Sequence, residues 1–127
     1  MPKERAVRLG ELQLRIMRVL WELDAATVSE VQKRLGRPRL AYTTVGTMLR
    51  KMEKRGLVSH REEGRKFHYR ALVSEGEATR SMAGDLINRL FAGSLTDAVS
   101  HLLENHEISR EELDRLEQLI QQRKSKP

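Results

Sequence analysis

The chain has 127 residues, no cysteine, 33% charged side chains and a net charge of +6. These numbers describe one domain, or a small domain with an appended element, and they exclude disulfides, thiolate metal sites and cysteine nucleophiles. No apolar stretch approaches the roughly 20 residues that span a bilayer. Lys3, Glu4, Arg5 and Arg8 precede any apolar run, so the start lacks a signal-peptide core and a cytoplasmic protein without membrane insertion is expected. With only 4% aromatic residues and long Leu-rich amphipathic segments, the chain is of a kind that completes its core by pairing with a second copy.

The charge is unevenly placed. Residues 1–73 hold 17 Lys and Arg against 8 Asp and Glu, a net of +9, whereas residues 74–127 hold 7 against 10, a net of −3. A positive field confined to one module is the footprint of a polyanion-binding head on a non-binding body.

The first helix is expected over Glu11–Leu23, where Leu12, Ile16, Val19, Leu20 and Leu23 recur at helical spacing. Thr27-Val28-Ser29-Glu30 reads as a capping box that opens a short second helix through Val31 and Leu35, stopped by Gly36. Arg37-Pro38-Arg39 is a turn, and the third helix runs from Tyr42 to Arg55 with Gly56 after it. Val45, Met48, Leu49 and Met52 form its buried stripe, leaving Thr43, Thr44, Thr47, Arg50, Lys51 and Lys54 outside. Leu57–Arg61 and Phe67–Leu72 read as two strands joined by a turn at Glu62–Arg65, with Phe67, Tyr69 and Leu72 sharing the packing. The fold class expected is mostly α with a small β-hairpin: a winged helix-turn-helix over residues 1–73.

From Ser74 the character changes to a helical region, residues 74–127. Ser74 with Glu77, Ser94 with Asp97 and Ser109 with Glu112 are helix starts. The apolar stripes of the three helices are Met82, Leu86, Leu90 and Phe91; Leu95, Val99, Leu102 and Leu103; and Leu113, Leu116 and Ile120. The last helix is expected to fray into a basic tail, Arg123–Pro127. Three such thin helices bury their stripes most economically against the same helices of a second chain, in a two-fold homodimer.

Thr43, Thr44, Gly46 and Thr47 occupy the first turns of the third helix, where short hydroxyls suit base edges and thymine methyls in a major groove. Gly46 is a poor helix former, and close approach to a duplex would be one reason to keep it. Arg39, Tyr42, Arg50, Lys51, Lys54, Arg61, Arg65 and Lys66 are assigned to phosphates, which supply affinity and salt dependence. No His pair has the four-residue helical spacing of a zinc clamp, and His101 and His106, five apart, are read as surface residues. No nucleophile with a base, phosphate loop or paired carboxylates converge, so neither a catalytic site nor a metal or other cofactor is expected.

The combination Leu9-Gly10-Glu11-Leu12, Ile16-Met17, Leu20-Trp21, Ala41-Tyr42-Thr43-Thr44-Val45-Gly46-Thr47-Met48-Leu49, Lys54-Arg55-Gly56-Leu57-Val58 and Phe67-His68-Tyr69 resembles the penicillinase repressors, the BlaI/MecI-type winged-helix regulators of bacteria. The resemblance covers about residues 9–120. It implies a homodimer on a dyad operator, with the third helix (Thr43, Thr44, Gly46, Thr47 and Lys51) in the major groove and the tail helices forming the dimer. It also implies, for members near beta-lactam resistance genes, inactivation by a membrane sensor-protease that cuts an Asn-Phe bond in the dimerisation region. The corresponding place here is His101-Leu102. A copper-responsive branch carries C-terminal cysteines, which this chain lacks. The residues by themselves leave open a nonspecific, architectural nucleic-acid binder or a winged helix used for protein contacts.

Overall fold

The computed structural model describes residues 6–127; Lys3, Glu4 and Arg5 lie outside them. The elements are α1 (Glu11–Leu23), β1 (Ala26–Thr27), α2 (Val28–Leu35), α3 (Tyr42–Lys54), β2 (Val58–Glu63), β3 (Lys66–Ala71), α4 (Glu75–Phe91), α5 (Leu95–Asn105) and α6 (Arg110–Ser125). Two compact units result, Met1–Ala83 and Gly84–Pro127.

The first unit is a winged helix. Its core is built from the apolar stripes of α1, α2 and α3, with Ile16, Met17, Val31, Val45, Leu49 and Met52 fully buried. The sheet closes it through Val58 and Tyr69. The core also takes in Ala78 of α4, and Ser81 accepts a hydrogen bond from the Val7 amide at 2.8 Å. The unit therefore runs past the expected boundary at residue 73.

The capping box at Thr27 forms as the sequence implies. The Thr27 hydroxyl accepts from the Glu30 amide at 3.2 Å, and the Glu30 carboxylate accepts from the Thr27 amide at 2.9 Å. The Thr27 amide first, and the Thr27 hydroxyl second, hold the Glu30 carboxyl below its ordinary value. Two side chains then set the path into α3: Arg15 donates to the Leu35 carbonyl at 2.7 Å, and Gln32 donates to the Leu40 carbonyl at 2.7 Å. α3 ends in a Schellman arrangement, with the Leu57 amide on the Met52 carbonyl and the Gly56 amide on the Glu53 carbonyl, both 3.0 Å. Gly56 takes the left-handed conformation this requires, at φ 76°.

The sheet has three antiparallel strands in the order β1-β3-β2, one more than the hairpin expected. β1 is the two residues before α2, which pair as Ala26 with Tyr69 and Thr27 with His68. The hairpin is longer and its turn tighter than the sequence suggests, because β2 runs to Glu63 and pairs it with Lys66. Gly64 and Arg65 both have positive φ, 57° and 67°, as a two-residue type I′ turn demands. Of the three side chains expected to pack, Tyr69 is buried but Phe67 and Leu72 are 42% and 49% exposed. The strand carries Phe67 beyond the helices that could cover it, and Leu72 lies past the end of β3.

In the second unit, Ser94 caps α5 through the Asp97 amide and Ser109 caps α6 through the Glu112 amide, each at 3.1 Å. α6 does not fray at Arg123 but continues to Ser125, since Gln, Arg and Lys are good helix formers and Arg123 and Lys124 complement the C-terminal end of the dipole.

Candidate nucleic-acid interface

α3 presents two different faces. Val45, Leu49 and Met52 go into the core, while Thr43, Thr44, Thr47, Arg50, Lys51 and Lys54 are all exposed. The helix begins at Ala41, which has no side-chain cap, so the Thr43 hydroxyl is not consumed in starting the helix. Thr47 accepts from the Arg50 guanidinium at 3.2 Å, which directs that cation back along the helix toward its N-terminal turns.

Of the four positions expected to read bases, Gly46 alone is buried. A Cβ added there would meet Arg50 Nη1 at 3.7 Å and Val28 Cγ1 at 3.9 Å. It faces α2 and lies under the Arg50 side chain, and it lines the groove between helix and wing together with Tyr42, Thr43 and Arg50. Arg55, which extends the cationic run in sequence, turns the other way. Its guanidinium donates to the Arg8 carbonyl at 2.9 Å and to Gln13 at 3.2 Å, fastening the end of α3 to the start of α1.

The hairpin divides the remaining cations. Tyr42, Thr43 and Arg50 of α3 and Arg65, Lys66 and Phe67 of the hairpin line a single groove between the helix and the wing. Arg61 is on the other face of the hairpin, in a depression it shares with Ser59, His68 and Arg70. Arg39 is exposed on the segment leading into α3. Phe67 is the groove residue that sequence reasoning missed. Strand alternation correctly places it on the face of Tyr69, but does not reveal that this face outruns the core.

The inner face of the wing carries a connected cluster. His60 Nδ1 lies 2.7 and 2.8 Å from the two Glu53 carboxylate oxygens. The His60 ring stacks on Phe67 at 4.2 Å between centroids and is tilted against Tyr69 at 5.5 Å. Burial first, and the Glu53 carboxylate second, raise the Tyr69 phenol above its ordinary value, so it stays neutral at physiological pH. Among the described residues, no three His, Asp or Glu side chains group closely enough to hold a metal ion.

The family model described as penicillinase repressor matches residues 9–122. The chain belongs to that family. It is 29% identical over 120 residues to the penicillinase repressor of Bacillus licheniformis, covering 94% of each chain. It is also 29% identical over 119 residues to the transcriptional regulator BlaI of Mycobacterium tuberculosis (strain CDC 1551 / Oshkosh), covering 91% of this chain and 85% of that one. Among solved structures, a MarR family protein from Bacillus stearothermophilus superposes with a TM-score of 0.51 at 21% identity, covering 94% of this chain and 78% of that one. That likeness speaks to the fold. The penicillinase repressor family is one of transcriptional repressors, not of enzymes.

The second unit offers a different surface. Leu86, Leu90, Leu95, Val99, Leu102, Leu103, Leu113, Leu116 and Ile120 are between 38% and 69% exposed. Phe91 is half-buried, as is Met82 at the end of the first unit. His101 and Leu102 sit in the middle of α5, where the Asn105 side chain donates to the His101 carbonyl at 2.8 Å and the His101 ring tilts against Phe91 at 5.8 Å. No helix among the described residues is long and apolar enough to cross a membrane.

Proposed function

We propose that this member of the penicillinase repressor family acts as a homodimer that represses transcription by binding an inverted repeat in double-stranded DNA. The observation that carries the reading is the outer face of α3, with exposed hydroxyls in its first turns and Lys51 and Lys54 further along, next to a wing tipped by Arg65 and Lys66. In this reading Thr43, Thr44 and Thr47 meet base edges. Arg39, Tyr42, Arg50, Lys51, Lys54, Arg65 and Lys66 meet the sugar-phosphate backbone, which fixes register without choosing sequence. Arg61, on the far face of the hairpin, reaches a flanking phosphate or none.

The apolar side chains left exposed on each of α4, α5 and α6 support the dimer, since large apolar residues exposed in such number mark a protein–protein contact. A membrane sensor-protease remains the partner that family membership suggests for release. Its site would be His101–Leu102, and because a protease needs extended backbone, cleavage would require α5 to unwind locally.

Selection of bound duplexes from a random pool, followed by competition against a scrambled duplex at fixed salt, tests the reading. A single enriched inverted repeat, bound far more tightly than the scrambled duplex, is expected. Equal affinity for both would leave a nonspecific binder, and no retardation even at low salt would leave a protein-contact module.

A further inference from the structure

We propose that His60 is a positioning residue that ties the wing to the reading helix through Glu53, and so determines where Arg65 and Lys66 present their charge. Glu53 is the one acid on α3, set among Arg50, Lys51 and Lys54. Its carboxylate is received by the His60 imidazole, with both oxygens within 2.8 Å of Nδ1. The two side chains are each 31% exposed, so the contact is partly shielded from water and salt.

From His60 the tie passes directly into the other strand. The imidazole lies nearly flat on Phe67, with 23° between planes, and Phe67 meets Tyr69 edge-on at 6.5 Å. Tyr69 is fixed in the core, whereas every residue from Arg61 to Phe67 is exposed. The distal hairpin therefore projects from the body of the unit, with Arg65 and Lys66 at its end. Projecting cations serve a phosphate best when their position is settled before binding, because ordering a loose hairpin on the DNA offsets part of what the contacts contribute.

The inference rests on the DNA-binding reading for its consequence, but the tie itself can be measured without DNA. The chain has no cysteine, so spin labels can be placed cleanly by Lys51→Cys on α3 and Glu63→Cys on the hairpin. The distance distribution between them should be narrow in the parent chain, broad in His60→Leu, which keeps an apolar side chain but no hydrogen bond, and narrow again in His60→Gln, whose amide can donate to Glu53. On the selected duplex, His60→Leu should weaken binding about tenfold and lower the salt slope by about two per protomer, the share of two phosphate contacts in each head. In a chain already carrying Arg65→Asn and Lys66→Ala, the same substitution should cost less than twofold, because the cations it positions are gone. Unchanged distances in His60→Leu, or an equal loss in both backgrounds, would overturn the proposal. A parent chain that binds no duplex would refute the DNA reading, while the label distances would still decide the tie.

Discussion

Gly46→Ala separates two reasons for a glycine in the middle of α3. If the glycine lets the helix approach a duplex, an added methyl should hinder binding. If it is a neutral occupant of the α2–α3 contact, the methyl should help the fold. The added Cβ would lie 3.7 Å from Arg50 Nη1 and 3.9 Å from Val28 Cγ1, both ordinary van der Waals distances. No backbone or rigid group must move. Relief of the helix-propensity penalty is worth about 1 kcal/mol, and the methyl is buried, which adds in the same direction. A gain of about 1 kcal/mol corresponds to a rise in Tm of about 4 °C for a chain of this size. Thermal melts followed by far-UV circular dichroism read the stability, and competition binding to the selected duplex reads the function. The expected result is a higher Tm with affinity unchanged within twofold. A lower Tm would show that the packing argument is wrong, and a loss of affinity beyond tenfold would return Gly46 to the DNA contact.

Gly56→Ala should act in the opposite sense, lowering stability by about 1–2 kcal/mol because alanine resists the left-handed conformation held there at φ 76°; urea unfolding measures it. For Glu30→Gln the prediction concerns pH. The folded-state pKa of Glu30 is lowered, so its contribution is present above the ordinary carboxylate value of 4.5 and is lost as pH falls through the folded value. The Tm gap between the parent chain and Glu30→Gln should therefore be widest near neutral pH and shrink on acidification below 4.5, and a gap that grows in acid would contradict the assigned cause. Lys54→Ala should weaken specific and scrambled duplexes alike and reduce the salt slope by about one per protomer, as measured by binding titrations across salt concentrations. On the dimer reading, Leu116→Glu, on the exposed row of α6, should lower the sedimentation coefficient to that of a monomer; an unchanged coefficient would count against α6 as the pairing surface.

The features legible in the sequence were those whose cause is local. Thr27, Ser94 and Ser109 each cap a helix through an amide three residues away, so the cause and the effect lie in one short window. The buried stripe of α3 and the exposed hydroxyls and cations opposite it follow from helical periodicity in the same way. What stayed hidden depends on distant partners. β1 is only two residues long, and Ala26 and Thr27 become strand because Tyr69 and His68 come to lie beside them. Period-two alternation put Phe67 on the correct face but could not report where the core ends. Weak helix propensity gives Gly46 a functional reason but does not report its neighbours, and only the folded chain brings Val28 within 3.9 Å of a Cβ placed there. Arg55 was indistinguishable from its cationic neighbours until the Arg8 carbonyl and Gln13 claimed it.

The distribution of exposed apolar surface has a consequence for how such a protein could be switched. One head alone offers a short reading face and a limited set of phosphate contacts, and binding of that kind falls off steeply with salt. Joining two heads raises the effective concentration of the second at its half-site, which multiplies affinity by about 10²–10⁴ without a new contact to DNA. On the dimer reading, that factor resides in α4, α5 and α6, whose leucines are exposed until a second chain covers them, and not in the winged helix. A lesion in α5 would then release the operator while leaving Thr43, Thr44 and Thr47 untouched. His101–Leu102 lies in that helix, two residues from Val99 and beside Leu103, so unwinding enough backbone to cut the bond would also withdraw apolar side chains from the dimer contact. Loss of pairing and exposure of the bond would thus favour each other, and the monomer would be the form most readily cut.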